Sequence, residues 1–129
     1  MRRIVLDATA LLSWFTADGP GRSLRREYEA GVLGIVVPPS LTTDFIGALA
    51  ADRERSSEAL VQAAAEVDRL GFEVRNPAFE DTARWIARGL SPQDAPYAAL
   101  ASHPELPLMT ANDNVLRRAA TVARPLVDS

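Results

Sequence analysis

The feature that most constrains this chain is an alternation. Short apolar runs rich in β-branched residues are each stopped by a polar or turn-forming residue, and longer stretches with helical spacing lie between them. Ile4-Val5-Leu6 ends at Asp7, and Ala8 to Phe15 follows with helical periodicity. Asp18-Gly19-Pro20-Gly21 breaks that pattern, Arg22 to Ala30 predicts a charged helix ending at Gly31, and Leu33 to Val37 predicts a second strand closed by Pro38-Pro39. Ser40 to Arg55 reads as a long helix with Leu41, Phe45, Ala48 and Leu49 on one face; Ser56-Ser57-Glu58 caps another that runs to Leu70 and stops at Gly71. Phe72-Glu73-Val74 is a brief third strand, and Phe79 to Arg88 a helix stopped by Gly89. Ser91-Pro92 has the chemistry of a helix start, but Pro96 lies deep for such a helix. Either its first turn is irregular or regular helix begins nearer Asp94, ahead of the alanine-rich Tyr97 to Ala101. Leu106-Pro107-Leu108-Met109 predicts a fourth strand ending at Thr110, Asn114 to Ala120 a short helix, and Pro125-Leu126-Val127 a last strand at an edge.

Strands separated by helices imply an α/β fold: a central parallel sheet of four to five strands with helices on both faces, joined by right-handed crossovers. No repeat, linker or low-complexity tract divides the chain, so residues 1–129 read as a single domain. No run approaches the roughly 18 to 20 apolar residues of a membrane span. The basic Arg2-Arg3 precedes an apolar stretch that Asp7 interrupts, which does not fit a signal peptide, and the chain reads as cytoplasmic with no membrane partner.

All 14 basic residues are Arg; there is no Lys, no Cys and a single His, His103. That removes Schiff bases, P-loop lysines, thiol nucleophiles and thiolate metal sites. His103, in a Ser-His-Pro sequence near a helix end, reads as a surface residue rather than part of a triad. Any enzymatic work falls to carboxylates, hydroxyls, Arg, or a metal held by oxygen.

Ligand sites in open α/β sheets lie beyond the carboxyl ends of the strands. Asp7 follows the first strand at once, Asp113 comes shortly after the fourth, Asp94 opens a helix whose start faces the same edge, and Asp44 is one turn into the helix after the second strand. Four acids on one rim repel unless a divalent cation sits among them, and oxygen ligands suit Mg²⁺ or Mn²⁺. Such a metal activates water and neutralises a phosphodiester, so the expected chemistry is hydrolytic.

Three phrases carry a family resemblance: Val5-Leu6-Asp7-Ala8-Thr9-Ala10-Leu11-Leu12, Leu90-Ser91-Pro92-Gln93-Asp94-Ala95-Pro96-Tyr97-Ala98-Ala99-Leu100-Ala101, and Leu108-Met109-Thr110-Ala111-Asn112-Asp113. In order and spacing, over essentially the whole chain, they resemble the PIN-domain ribonucleases, and among these the VapC toxins of bacterial toxin–antitoxin pairs. The resemblance implies a PIN-like three-layer sandwich and a metal-dependent endoribonuclease, in which a metal-activated water hydrolyses RNA, possible targets including tRNA. It carries metal-binding and catalytic roles to Asp7, Asp44 and Asp94, with Asp113 as fourth ligand, and supporting roles to Thr9, Thr110 and Asn112. Asp44 stands where the family usually has Glu. Asn112 stands where its fourth acid usually falls, so Asp113 takes that role only if the loop is one residue longer. The resemblance also implies a homodimer and a small cognate VapB-like antitoxin docked in an apolar groove, for which Trp14 and Phe15 are candidates.

Each acid also has a structural use without metal. Asp7 and Asp113 can cap helices, Asp94 can favour a helix dipole, and Thr9 and Thr110 can shape turns. The two departures favour an alternative: a catalytically weakened PIN-fold module that still pairs with an antitoxin. An aspartyl phosphatase would also place an acid after the first strand, but it expects Asp at position 9, where this chain has Thr9, and a Lys. The net charge of -3 opposes tight nonspecific binding of nucleic acid. Arg22, Arg25 and Arg26, or Arg117 and Arg118, are the candidates for a local phosphate-binding patch, although a solvated helix face explains them as well.

Overall fold

Five strands pair side by side, every pair parallel, in the order β3-β2-β1-β4-β5. They belong to a computed structural model that describes residues 1–16 and 19–126. Asp18 of the expected break and Val127 of the expected last strand lie outside the described residues. Along the chain come β1 (Arg2–Leu6), α1 (Ala8–Trp14), α2 (Arg22–Glu29), β2 (Leu33–Val37), α3 (Leu41–Asp52), α4 (Ser57–Leu70), β3 (Glu73–Val74), α5 (Phe79–Ala87), α6 (Ala95–Ser102), β4 (Leu108–Thr110), α7 (Asp113–Arg118) and β5 (Ala123–Pro125). Successive strand residues point to opposite faces, and Ile4, Val5 and Leu6 of β1 are all fully buried. Both faces of the central strand are therefore covered, the three-layer arrangement expected of a parallel sheet.

The strand order has a direct consequence for function. From β1 the chain moves outward through β2 to β3, then returns to the other side of β1 with β4. The direction of winding reverses between β1 and β4, and a crevice opens beyond their carboxyl ends. Val5 pairs with Leu108 and Leu6 with Met109, which brings Asp7 beside Thr110 at that point.

Several boundaries differ from the sequence reading. Regular helix α6 starts at Ala95, with Ser91 to Asp94 forming a hydrogen-bonded turn, so Pro96 falls in the first helical turn where its missing N–H costs nothing. Strand β4 starts at Leu108 rather than Leu106, because Pro107 has no N–H and contributes only its carbonyl, which accepts from Val5 N. The last strand pairs over Ala123 to Pro125, two residues earlier than expected. Helix α3 ends at Asp52, where Arg53 turns extended, and Arg55 Nε donates to the Leu49 carbonyl at 3.1 Å. Helix α7 begins at Asp113, capped by Asn112, instead of at Asn114.

Local chemistry explains the other ends. Ser56 caps α4 by accepting from Ala59 N, and Gly71 closes it at φ 68°, in the left-handed region where a Cβ is costly. Gly21 permits a close approach: a Cβ there would lie 2.6 Å from Trp14 N. Trp14 is 1% exposed and packs in an aromatic cluster with Tyr28 and Phe72, ring centroids 5.8 and 5.7 Å away. The tryptophan is core, which corrects its expected place in a partner groove. No helix among the described residues is long and apolar enough to cross a membrane.

Candidate functional site

The carboxyl edge of β1 and β4 opens into a cavity of about 430 Å³ lined by Asp7, Ala8, Thr9, Asp44, Gly47, Ala48, Ala51, Gln93, Asp94, Tyr97 and Asn112. Three of the four expected acids face it. Its α3 wall is a helical stripe, Asp44, Gly47, Ala48 and Ala51, whose small side chains leave room in front of the acids. Ala48, expected on the core face, belongs to this wall.

Asp7 is 5% exposed, at the N-cap of α1. Its Oδ1 accepts from Ala10 N at 2.9 Å and from Thr9 Oγ1 at 2.7 Å, and its Oδ2 accepts from Thr110 Oγ1. Capping and cavity lining are thus combined in one carboxylate. Burial raises its pKa above the usual carboxylate value; the hydrogen bonds from Thr110, Thr9 and Ala10 act against that shift, while the charge of Asp94 adds to it. Thr9 Oγ1 also accepts from Ala111 N at 3.0 Å, and the buried Thr110 Oγ1 accepts from Asn112 N at 3.0 Å. The two hydroxyls, 3.3 Å apart, tie the β1 and β4 ends together around Asp7.

Asp94 occupies the N-cap position of α6 but makes no side-chain cap hydrogen bond. Its backbone is held instead, the N–H donating to Ser91 Oγ at 3.0 Å. Asp44, half-buried on α3, accepts from Tyr97 Oη at 2.7 Å and from Gln93 Nε2 at 3.4 Å. Tyr97 is itself buried; burial, then the adjacent Asp44, pushes its phenol far above the usual tyrosine value and keeps it a neutral donor. The sequence gave neither Tyr97 nor Gln93 a role at the site. The signal was present only as proximity to Asp94 in the chain, because their partner Asp44 lies in a different helix.

The fourth acid is placed differently from expectation. Asp113 is exposed in the first turn of α7 and is not among the cavity residues; Asn112 takes that place, with Oδ1 accepting from Asn114 N and Val115 N at 2.9 and 3.2 Å. The backbone turns one residue earlier than a ligating Asp113 requires. No Arg lines the cavity either, so neither Arg cluster considered above borders the acids. Phe15, in contrast to Trp14, lines a separate groove of about 380 Å³ with Leu12, Thr16, Leu49, Asp52, Arg53 and Arg55.

Three carboxylates lining one cavity, with no basic residue among its described lining residues, form a donor set suited to a hard divalent cation. Among the described residues, no three His, Cys, Asp or Glu side chains are gathered closely enough to cage one. Mg²⁺ commonly binds through one or two carboxylates and keeps its waters, so the donor chemistry fits without such a cage.

No protein-family model matches this chain, and no curated protein does. Among solved structures, it is similar to PAE2754 from Pyrobaculum aerophilum, with a TM-score of 0.71 and 22% identity over 97% of this chain and 91% of that one. At that identity the likeness is one of fold. It supports the five-stranded parallel α/β architecture over nearly the full length of both chains.

Proposed function

We propose that this protein is a metal-dependent endoribonuclease of the PIN-domain type, acting as the toxin of a VapBC-like pair. The observation that carries the reading is the unbalanced acidic cavity: Asp7, Asp44 and Asp94 line it at the reversal of strand winding, with no Arg among the described lining residues. A polyanionic substrate is repelled from such a wall unless a cation intervenes. Asp7 and Asp94 would hold Mg²⁺ or Mn²⁺ directly, with Asp44 and Asn112 completing the polar surface. A cation held there would supply neutralisation of phosphodiester charge and activation of water for hydrolysis.

The chain's own residues supply orientation. Thr9, Thr110 and Ala10 N immobilise Asp7, so little ordering remains to be done when it engages a ligand. Tyr97 and Gln93 hold Asp44, whose stem is one methylene shorter than that of Glu, toward the cavity. The small residues Gly47, Ala48 and Ala51 leave space for a nucleotide backbone. Hydrolysis then adds water at phosphorus and releases the 3′-oxygen. The groove at Phe15, apolar at Leu12 and Leu49 and basic at Arg53 and Arg55, suits an antitoxin segment, and the resemblance makes a homodimer part of this reading.

A second reading, a non-catalytic module that pairs with an antitoxin, draws on the displaced Asp113 and the lack of a close three-carboxylate group among the described residues. Titrating Mn²⁺ by calorimetry and assaying cleavage of a mixed RNA pool, with Asp7→Asn as control, separates the two. The nuclease reading expects binding and cleavage that Asp7→Asn abolishes; a folded protein that binds no cation and cleaves no RNA rejects it.

A further inference from the structure

The acidic cavity and the groove at Phe15 are built by the same two helices. Helix α1 gives Ala8 and Thr9 to the cavity and, on the following turns of the same face, Leu12 and Phe15 to the groove. Helix α3 repeats the pattern, with Asp44, Ala48 and Ala51 on the cavity and Asp52 on the groove. The two hollows therefore lie end to end in one trough between α1 and α3. From Ala8 to Phe15 the trough runs about 10 Å, the rise of about three stacked nucleotides.

Charge changes sign along it. The carboxylates of Asp7, Asp44 and Asp94 stand at one end, and Arg53 and Arg55 stand at the other, just past the end of α3. Arg55 is already engaged, its Nη2 donating to Asp52 at 3.2 Å. Arg53 is exposed and has no ion-pair partner among the described residues, which leaves its guanidinium open to an anion from outside the chain. Between the ends lies Phe15, half-buried, with the Arg25 guanidinium over its ring at 5.5 Å from the centroid. An aromatic ring bearing a guanidinium is a surface on which an unpaired base stacks. Acids that attract a cation, then a stacking surface, then a free guanidinium match the order of phosphate, base and further phosphate along a single strand. Paired bases are stacked within their own duplex and offer no face to Phe15.

We infer that the α1–α3 trough is the track of a single-stranded RNA, with one phosphate toward the acids, a base on Phe15 and Arg25, and a further phosphate on Arg53. This rests on the nuclease reading above, to which it adds the path of the substrate and its single-stranded character. An antitoxin segment in the groove and a strand on this track would exclude each other.

The probe is a fluorescein-labelled RNA octamer without secondary structure. Its binding in Mn²⁺ is read by stopped-flow anisotropy before turnover, and its cleavage is compared with that of a dinucleotide. Arg53→Glu should weaken octamer binding about tenfold and raise KM without lowering kcat, while leaving the dinucleotide, too short to reach position 53, unchanged. Arg53→Gln should reduce the slope of log affinity against log salt by about 0.7, the loss of one single-strand phosphate contact. Phe15→Leu keeps an apolar group against Phe45 and should weaken binding about fivefold or more. Arg69→Glu makes the same change in net charge in the last turn of α4, about 18 Å along that helix from its start, and should have little effect. Cleavage by the wild type with binding and KM unmoved by Arg53→Glu and Phe15→Leu overturns the track, keeps the nuclease and leaves the groove to a protein segment. An equal loss in Arg69→Glu, or equal binding of a duplex, also overturns the track. Octamer binding that both trough variants weaken, in a protein that cleaves nothing, upholds the track and rejects the nuclease. A wild type that neither binds nor cleaves the octamer overturns both.

Discussion

Asp7 holds together two things that usually conflict, a stable helix start and a buried negative charge. Its carboxylate caps α1, yet burial and Asp94 make the charged form unfavourable. A carboxyl whose folded pKa is raised contributes stability that is fully present below its ordinary value of 3.8 and is lost as pH rises through the folded value. Asp7→Asn keeps an oxygen for Ala10 N and Thr9 and removes the charge. The variant should therefore lose this decline, seen as a flatter dependence of Tm on pH, and should also lose the proposed cation binding. Asp7→Ala, which also deletes the cap, should be less stable than Asp7→Asn by about 1 kcal/mol in denaturant titrations. Tyr97 works in the alkaline direction. Its raised pKa means that stability declines above the ordinary tyrosine value of 10.0, where the unfolded phenol ionises and the folded one does not. Tyr97→Phe should flatten that decline and, by releasing Asp44, cost about 1 kcal/mol at neutral pH. Asp7 was legible because it follows the first strand at once, and ligand sites in open α/β sheets lie beyond the carboxyl ends of the strands. Tyr97 and Asp44 are 53 positions apart, and no local pattern links them.

At the scale of elements, the ends of α4 followed local chemistry and the last strand did not. Ser56 and Gly71 were readable as start and stop signals because capping involves only neighbours in the chain. Strand β4 starts two residues late because Pro107 lacks an N–H, and β5 pairs two residues earlier than expected because its partnership with β4, invisible in a short apolar run, sets its limits. The turn after β4 tightens because Thr110 Oγ1 accepts from Asn112 N, and Asp113 is carried out to solvent. Gly21 marks a contact between elements. A Cβ there would meet the backbone of α1, so Gly21→Ala should separate α1 from α2 and lower stability by about 1 to 3 kcal/mol in chemical denaturation. Such a shift would also loosen Trp14 from Tyr28, readable as a change in tryptophan fluorescence.

For the whole molecule, the proposed cation is a ligand of the folded state alone, since the wall that holds it draws on α1, α3 and α6. Thermal unfolding should therefore respond to Mn²⁺ by mass action, gaining about 2.7 kcal/mol at a free concentration 100 times Kd. Asp7→Asn should show no such gain, and a wild-type Tm indifferent to Mn²⁺ would count against the functional reading. The charge of Asp94 disfavours the charged form of Asp7 in the free protein, a repulsion that the proposed cation would relieve.

The sequence by itself determined the fold class, the order of elements, and the chemistry open to the protein. Alternating strand and helix periods admit few arrangements other than a covered parallel sheet, and a chain without Lys or Cys leaves oxygen groups to do the work. Only the tertiary structure decided which oxygens meet. Strand order placed the winding reversal at β1 and β4, pairing fixed the length of the turn after Thr110, and that turn selected Asn112 over Asp113 for the cavity. Composition and periodicity are properties of neighbours along the chain, whereas a site is a property of elements brought together by hydrogen bonds between distant segments.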